Sequence, residues 1–319
     1  MLWFKHTSII ATLVLTTSAA MAATPSNVSR SRAKTIAATS TSAASSRVST
    51  TQTKTSATSS TNTSTTALTK PKAEAPPIFS GFLLTSRSTS LYDFQDGSKS
   101  DGMDYTFRLA AKLGATSKYG VKLTAVYSDD LNNPESNDNL KDTNISLGRA
   151  PAPVGGYLLM SPSIGVGLPT SKDSRDRQQL QAAGKLGLTT LVNPEKLMTG
   201  LAIMVNLIGT KNFHSYDTAT DGKVNTAYSL VQNANFVYTY KAVSLTLDFV
   251  HMNTWSYQDV MRDVFEMTQE LGVSINDNVG VAIGHTNGGS TLKADGVNSN
   301  VQVMNENTSM VYASLLLAF

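Results

Sequence analysis

The chain has 319 residues, of which 40% are hydrophobic and only 15% charged, with a formal net charge of +3 and no cysteine. The missing thiols exclude disulfides, thiolate metal centres and a cysteine nucleophile. After residue 22 no apolar run approaches the ~20 residues of a membrane helix, so any membrane crossing has to use strands.

Residues 1–22 carry Lys5, an apolar run from Ile9 to Leu15 broken by Thr12, and Ala20-Met21-Ala22, which fits a small-x-small cleavage site before Ala23. The pattern predicts a cleaved secretory signal peptide, too short to span ~30 Å of hydrocarbon. No cysteine follows the site to carry a lipid.

Residues 23–76 are dominated by Ser, Thr and Ala. Ordering them would cost more entropy than their burial could return, so a disordered tail is expected. The tail holds Arg30, Arg32, Lys34, Arg47, Lys54, Lys70 and Lys72 against Glu74, a sum of +6, while the chain from Pro76 onward sums to −4. A basic arm of this kind is either a solvated spacer or a contact for anionic lipid, cell-wall polymer or the mouth of its own barrel. Its basic residues are not interleaved with aromatics that could stack bases, which argues against nucleic acid.

Within the expected barrel, residues 77–319, one pattern repeats from Ile78 onward: a stretch with apolar side chains at alternate positions, then a short turn or a longer polar loop. Period two means strands. Twelve are expected, near 78–91, 104–116, 120–128, 142–149, 156–168, 178–191, 197–209, 226–240, 242–255, 262–275, 279–288 and 303–319. Short connections, as at Lys118, Pro151–Gly156 and Lys241, alternate with long ones, as at Asp129–Lys141 and Gly289–Gln302. The expected fold class is all-β: a transmembrane, antiparallel up-and-down barrel of about 12 strands.

A soluble β-sandwich also reads as many alternating strands, and the end of the chain separates the two. Val311, Ala313, Leu315, Leu317 and Phe319 share one face, with Tyr312 and Ser314 on the other. This resembles the C-terminal strand of bacterial outer-membrane proteins, whose aromatic last residue and apolar alternates, here Phe319, Leu317 and Leu315, are the signal read by the barrel-assembly machinery. The resemblance implies the outer membrane of a Gram-negative bacterium, with both termini periplasmic. Outer-membrane lipid, surface glycolipid and the assembly machinery would be its partners.

If apolar alternates face lipid, the residues between them map the interior. That parity puts Arg108, Lys112, Lys122 and Lys185 inside on one side, and Asp248, Glu266 and Glu270 inside on the other. Opposed charged walls set up a transverse field that filters polar solutes, so a passive, porin-like channel is expected. The alternative is that the charges pair and plug the interior of a non-conducting surface or scaffold protein. Phe265, Met267, Leu271 and Val273 are expected outward, most of the aromatics in interface girdles, and Tyr157 and Tyr312 at lumenal positions.

A third reading centres on Gly284-His285-Thr286-Asn287-Gly288-Gly289-Ser290. It resembles a fragment of the His-x-Ser motif of outer-membrane phospholipases, with His285 on the lipid side. Asn287 stands where that family has its serine, so no catalytic residue is assigned. No cofactor or metal is expected: His214 and His251 lack ligand spacing, and the acidic loop from Asp129 to Asn139 lacks the glycine and terminal glutamate of a calcium loop.

Overall fold

The computed structural model describes residues 78–91, 101–114, 117–131, 140–292 and 298–319. The expected signal peptide and tail lie outside the described residues. Thirteen strands follow in order: β1 Phe79–Ser90, β2 Gly102–Lys112, β3 Tyr119–Asp130, β4 Thr143–Arg149, β5 Ala152–Val154, β6 Leu158–Leu168, β7 Leu180–Val192, β8 Leu201–His214, β9 Thr226–Tyr240, β10 Val243–Ser256, β11 Met261–Ser274, β12 Val279–Ser290 and β13 Ser309–Ala318. Each pairs antiparallel with its neighbours, and β13 returns to pair with β1 from Phe82↔Ala318 to Ser90↔Met310. With β4 paired to β6, the ring is closed.

β4 and β5 are one stave. Both pair with β6, β4 from Thr143↔Leu168 to Gly148↔Ser163 and β5 from Ala152↔Met160 to Val154↔Leu158. The break falls at Ala150-Pro151, where proline has no N–H to give the ladder. Thirteen strands therefore make a barrel of twelve staves, the expected number. The turn expected over residues 151–156 is narrower, because Gly155 and Gly156 (φ +64° and +76°) reverse the chain by themselves.

Two other boundaries move. The strand expected from 197 begins at Leu201 and runs to His214, and the last begins at Ser309 rather than 303. Residues 305–308 are instead held in a turn, where the Asn305 amide donates to Ser309 Oγ and the Ser309 amide to the Asn305 carbonyl.

The distribution of side chains is that of a membrane barrel. Leu245, Leu247, Phe249, Val281, Ile283, Leu315 and Leu317 point outward and are exposed, while Arg108, Asn206, Asn233, Asn235, Thr246, Asp248, Thr268 and Glu270 point inward and are buried. A soluble sandwich would place these two sets the other way round. The interior also carries apolar groups, in two patches. Phe82, Leu84 and Leu316 pack at the β1–β13 seam, and Ile208, Val231, Val250 and Met252 pack across β8–β10.

One outward residue departs from expectation: Phe265 is only 3% exposed. On the next strand, outward-facing Asn287 donates to the Gln302 carbonyl at 2.7 Å and accepts from Thr308 at 2.5 Å. The segment before β13 thus folds down against the outer surface of the barrel, over the polar end of that face.

Candidate functional site

The candidate site is the lumen, built up here wall by wall. In a ring of twelve staves, β10 and β11 stand across from β3 and the β4–β5 stave. The acidic wall is on β10 and β11, where Asp248 lies opposite Thr268 and Glu270 opposite Thr246. Asp248 is buried and accepts hydrogen bonds from Asn233 at 2.6 Å and Asn235 at 3.2 Å, both from the lumenal face of β9. The chain of bonds continues sideways: Asn206 donates to Asn233 at 2.8 Å, and Thr189 donates to Asn206 at 2.6 Å. Four staves are tied together by this polar belt.

Glu270, also buried, accepts from the Tyr312 hydroxyl at 2.9 Å. Tyr312 is on β13 and Glu270 on β11, so the phenol has to cross β12. It crosses at Gly284, the residue registered between them. A Cβ there would lie 2.2 Å from Tyr312 Cζ. Glu266 lies further along β11 and is half-buried.

The basic wall is built differently. Arg108 on β2 is 1% exposed, and its guanidinium carbon sits 5.0 Å from the centre of the Phe82 ring. None of its three side-chain nitrogens makes a hydrogen bond to a described residue. Lys122 on β3 is opposite Ala110, the next lumenal residue along β2 from Arg108. The register then runs from Lys122 through Ser146 and Gly165 to Lys185. Lys185 donates to Asn144 Oδ1. Lys112 holds the last, half-buried position of β2, the next lumenal place beyond Ala110.

Beside Lys185 is a small open cleft lined by Asn144, Ser146, Ser163, Gly165 and Gly187 among others. Its existence follows from composition. Apart from Leu159 at the end of β6, the lumenal positions of β4 and β6 are Asn144, Ser146, Gly148, Ser161, Ser163, Gly165 and Gly167, side chains too small to fill a ring that elsewhere holds Phe, Tyr, Met and Arg.

The parity map puts all seven charged residues on the inner face; the structure sets Arg108, Lys112 and Lys122 on β2 and β3 across from Asp248, Glu266 and Glu270 on β10 and β11, with Lys185 on β7 between the two walls. The map missed the residues that hold the charges in place. Asn233 and Asn235 were visible as alternating polar residues, yet nothing in the sequence pairs them with Asp248. The map also placed Tyr157 in the lumen, wrongly: it sits in the β5–β6 turn, exposed, with Lys196 Nζ 5.8 Å from its ring centre. Tyr312 is lumenal, as expected.

His285 faces outward, and its Nδ1 bonds Gln269 Oε1 at 2.8 Å. Its neighbour Thr286 points inward, to Thr268 at 3.0 Å. The hydrogen-bond partner of His285 is thus a glutamine side chain, not a hydroxyl nucleophile. Phe107 stacks on Phe319 with ring centres 6.5 Å apart, and the Phe319 ring fills the outer face of Gly81. Leu315 and Leu317 share that exposed face.

At the long-loop rim, outside the spanning region, Arg177 bonds Asp173 and, at 3.1 Å, Asp221, which also meets Lys223 at 3.2 Å. This ion-pair group joins the β6–β7 and β8–β9 loops. Partial burial pushes the Asp173 carboxyl up, but hydrogen bonds from Arg177 and Gln178 together with the Arg177 charge outweigh it and hold the group below its ordinary value. Ser171 and Ser174 bond Asp142, anchoring the same loop to the start of β4.

A closed twelve-stave antiparallel barrel with an apolar outside and a polar inside is the fold of bacterial outer-membrane barrels. Among solved structures, the chain is similar to the COG4313 outer membrane channel from Pseudomonas putida F1, at 11% identity and a TM-score of 0.51, covering 79% of this chain and 100% of that one. It is also similar to the KdgM porin (9% identity, TM-score 0.44, 75% and 99% covered) and the NanC porin (7% identity, TM-score 0.48, 74% and 98% covered). No protein-family model matches the chain, and no curated protein matches it either.

Proposed function

We propose that this protein is a narrow, passive channel of the Gram-negative outer membrane that admits small polar or charged solutes, with its short-turn side and both chain ends in the periplasm. One observation carries this reading. Four of the lumenal charges are not hydrogen-bonded to one another: Asp248 bonds Asn233 and Asn235, Glu270 bonds Tyr312, Lys185 bonds Asn144, and Arg108 bonds no described residue. Charges that existed only to plug the interior would be matched to each other, because an ion pair is the cheapest way to bury two of them. Held instead by neutral neighbours on their own walls, they keep their fields directed into the lumen.

The distribution of side-chain bulk supports a narrow pore. The interior is crowded on β1, β13 and β8–β10 by its two apolar patches and is open along β4, β6 and β7. Passage is therefore expected beside Lys185. Swelling of liposomes containing the refolded protein tests this, using neutral and charged solutes of increasing size. Swelling with small polar solutes and a sharp loss with larger ones supports the reading; liposomes indistinguishable from protein-free ones would refute it.

A further inference from the structure

The two walls are not equivalent, and the difference concerns which groups still need a partner. Asp248 accepts two amide donors and one Glu270 oxygen accepts the Tyr312 hydroxyl. On the basic wall Arg108 combines near-complete burial with three nitrogens that bond no described residue. A guanidinium has five donors in a fixed fork, and leaving them unmatched away from water is among the costlier arrangements a fold can hold. The Phe82 ring supports one face of the cation but supplies no acceptor for its edge.

The surroundings of Arg108 show what would match it. Thr124 is opposite Arg108, Asn144 opposite Thr124, and Ser146 opposite Lys122. By register, three cations, Arg108, Lys122 and Lys185, thus border one patch of hydroxyl and amide groups, of which Asn144 and Ser146 line the cleft beside Lys185. Gly187 keeps it open, since a Cβ there would lie 2.5 Å from Ser163 Oγ. Donors of this type around a fork of positive charge are complementary to a planar or tetrahedral oxyanion.

We propose that the arc formed by Arg108, Lys122 and Lys185 is a binding site for an oxyanion, a carboxylate or phosphate carried by the solute, and that it makes the channel favour anions. The inference rests on the channel reading and goes against the simplest charge argument. From Pro76 onward the chain has eighteen Lys and Arg against twenty-two Asp and Glu, a net −4 that by itself would favour cations. Position overrides the sum: Asp248 and Glu270 already accept hydrogen bonds from neutral donors on their own side, and most of the remaining acids lie in loops.

The test uses the full-length protein in planar bilayers, reading the reversal potential across a potassium chloride gradient. Wild type is compared with Arg108→Gln, Lys185→Gln and, as a control in the β2–β3 turn, Lys118→Gln. In parallel, the unfolding midpoint in detergent is measured in sodium phosphate and in sodium chloride of equal ionic strength.

Anion-over-cation permeability is expected above one in wild type and in Lys118→Gln, falling about threefold or more in the other two variants. Phosphate should raise the midpoint of wild type and not that of Arg108→Gln. If Arg108→Gln fails to fold, Lys185→Gln alone carries the comparison. A conducting wild type that prefers cations, or unchanged selectivity in the variants, would overturn the anion site and leave the channel standing. A silent protein that still shows the phosphate-dependent shift, abolished in the variants, would overturn the channel and leave the site.

Discussion

Tyr312 and Glu270 meet at 2.9 Å across an intervening strand, because Gly284 leaves room for the phenol to pass. The three residues belong to three consecutive staves and lie in one register row. Tyr312→Phe removes the donor and leaves both Glu270 oxygens without a partner, a loss of about 1–3 kcal/mol. Gly284→Ala should do comparable harm by forcing the ring aside. The two effects share one cause, so a double variant is expected to cost clearly less than the sum of the singles. Denaturant unfolding of the refolded barrel measures all three.

The belt from Thr189 through Asn206 and Asn233 to Asp248 gives a graded prediction. Asn233→Ala strands the Asn206 amide and deprives Asp248 of its shorter hydrogen bond, so it should destabilise by about 2–3 kcal/mol. Thr189→Val keeps the shape and removes only the outermost donor, so about 1 kcal/mol is expected. Equal effects in equilibrium unfolding would mean that the belt is not a connected network.

The loop ion pairs should respond to acid. Asp173 sits below its ordinary carboxyl value in the folded state, so its contribution is fully present above the unfolded value of about 3.9 and is lost as pH falls through the folded one. Hydrogen exchange of segment 169–179 should therefore be slow and unchanged from pH 7 to 5, once corrected for intrinsic rates, and accelerate below about pH 4. Asp173→Asn should abolish that acid dependence. A transition near pH 6 would assign the loop to a different titrating group.

Filling the small-residue wall should narrow the pore without unfolding it. Gly187→Val places a β-branched residue in a strand, where it is well tolerated, and requires only the Ser163 hydroxyl to rotate away. Unitary conductance should drop about twofold or more, with the folded fraction unchanged. Unaltered conductance in a folded variant would show that solutes do not pass beside Lys185.

Much of this architecture could be read from the sequence because a strand has a period of two and a barrel has two chemically opposite faces. Leu245, Leu247 and Phe249 alternate with Thr246 and Asp248, and that alone fixes which side each occupies. What parity cannot supply is the neighbour. That Asp248 meets Asn233 and Glu270 meets Tyr312 depends on the register of five strands and on the closure of β13 onto β1, both set by the whole ring. The break at Pro151 looked like the end of a stave because proline usually interrupts a ladder; here the strand resumes in the same sheet at Ala152. Phe265 was assigned to lipid because parity does not reveal a segment folding back over the outer face.

The central claim, that the barrel conducts, is tested most directly by single-channel recording of the refolded full-length protein in a planar bilayer. Discrete, reproducible conductance steps that shrink in Gly187→Val are the predicted result. Absence of steps from a protein shown to be folded and inserted would contradict the account and make this a closed barrel whose charged walls serve its structure alone.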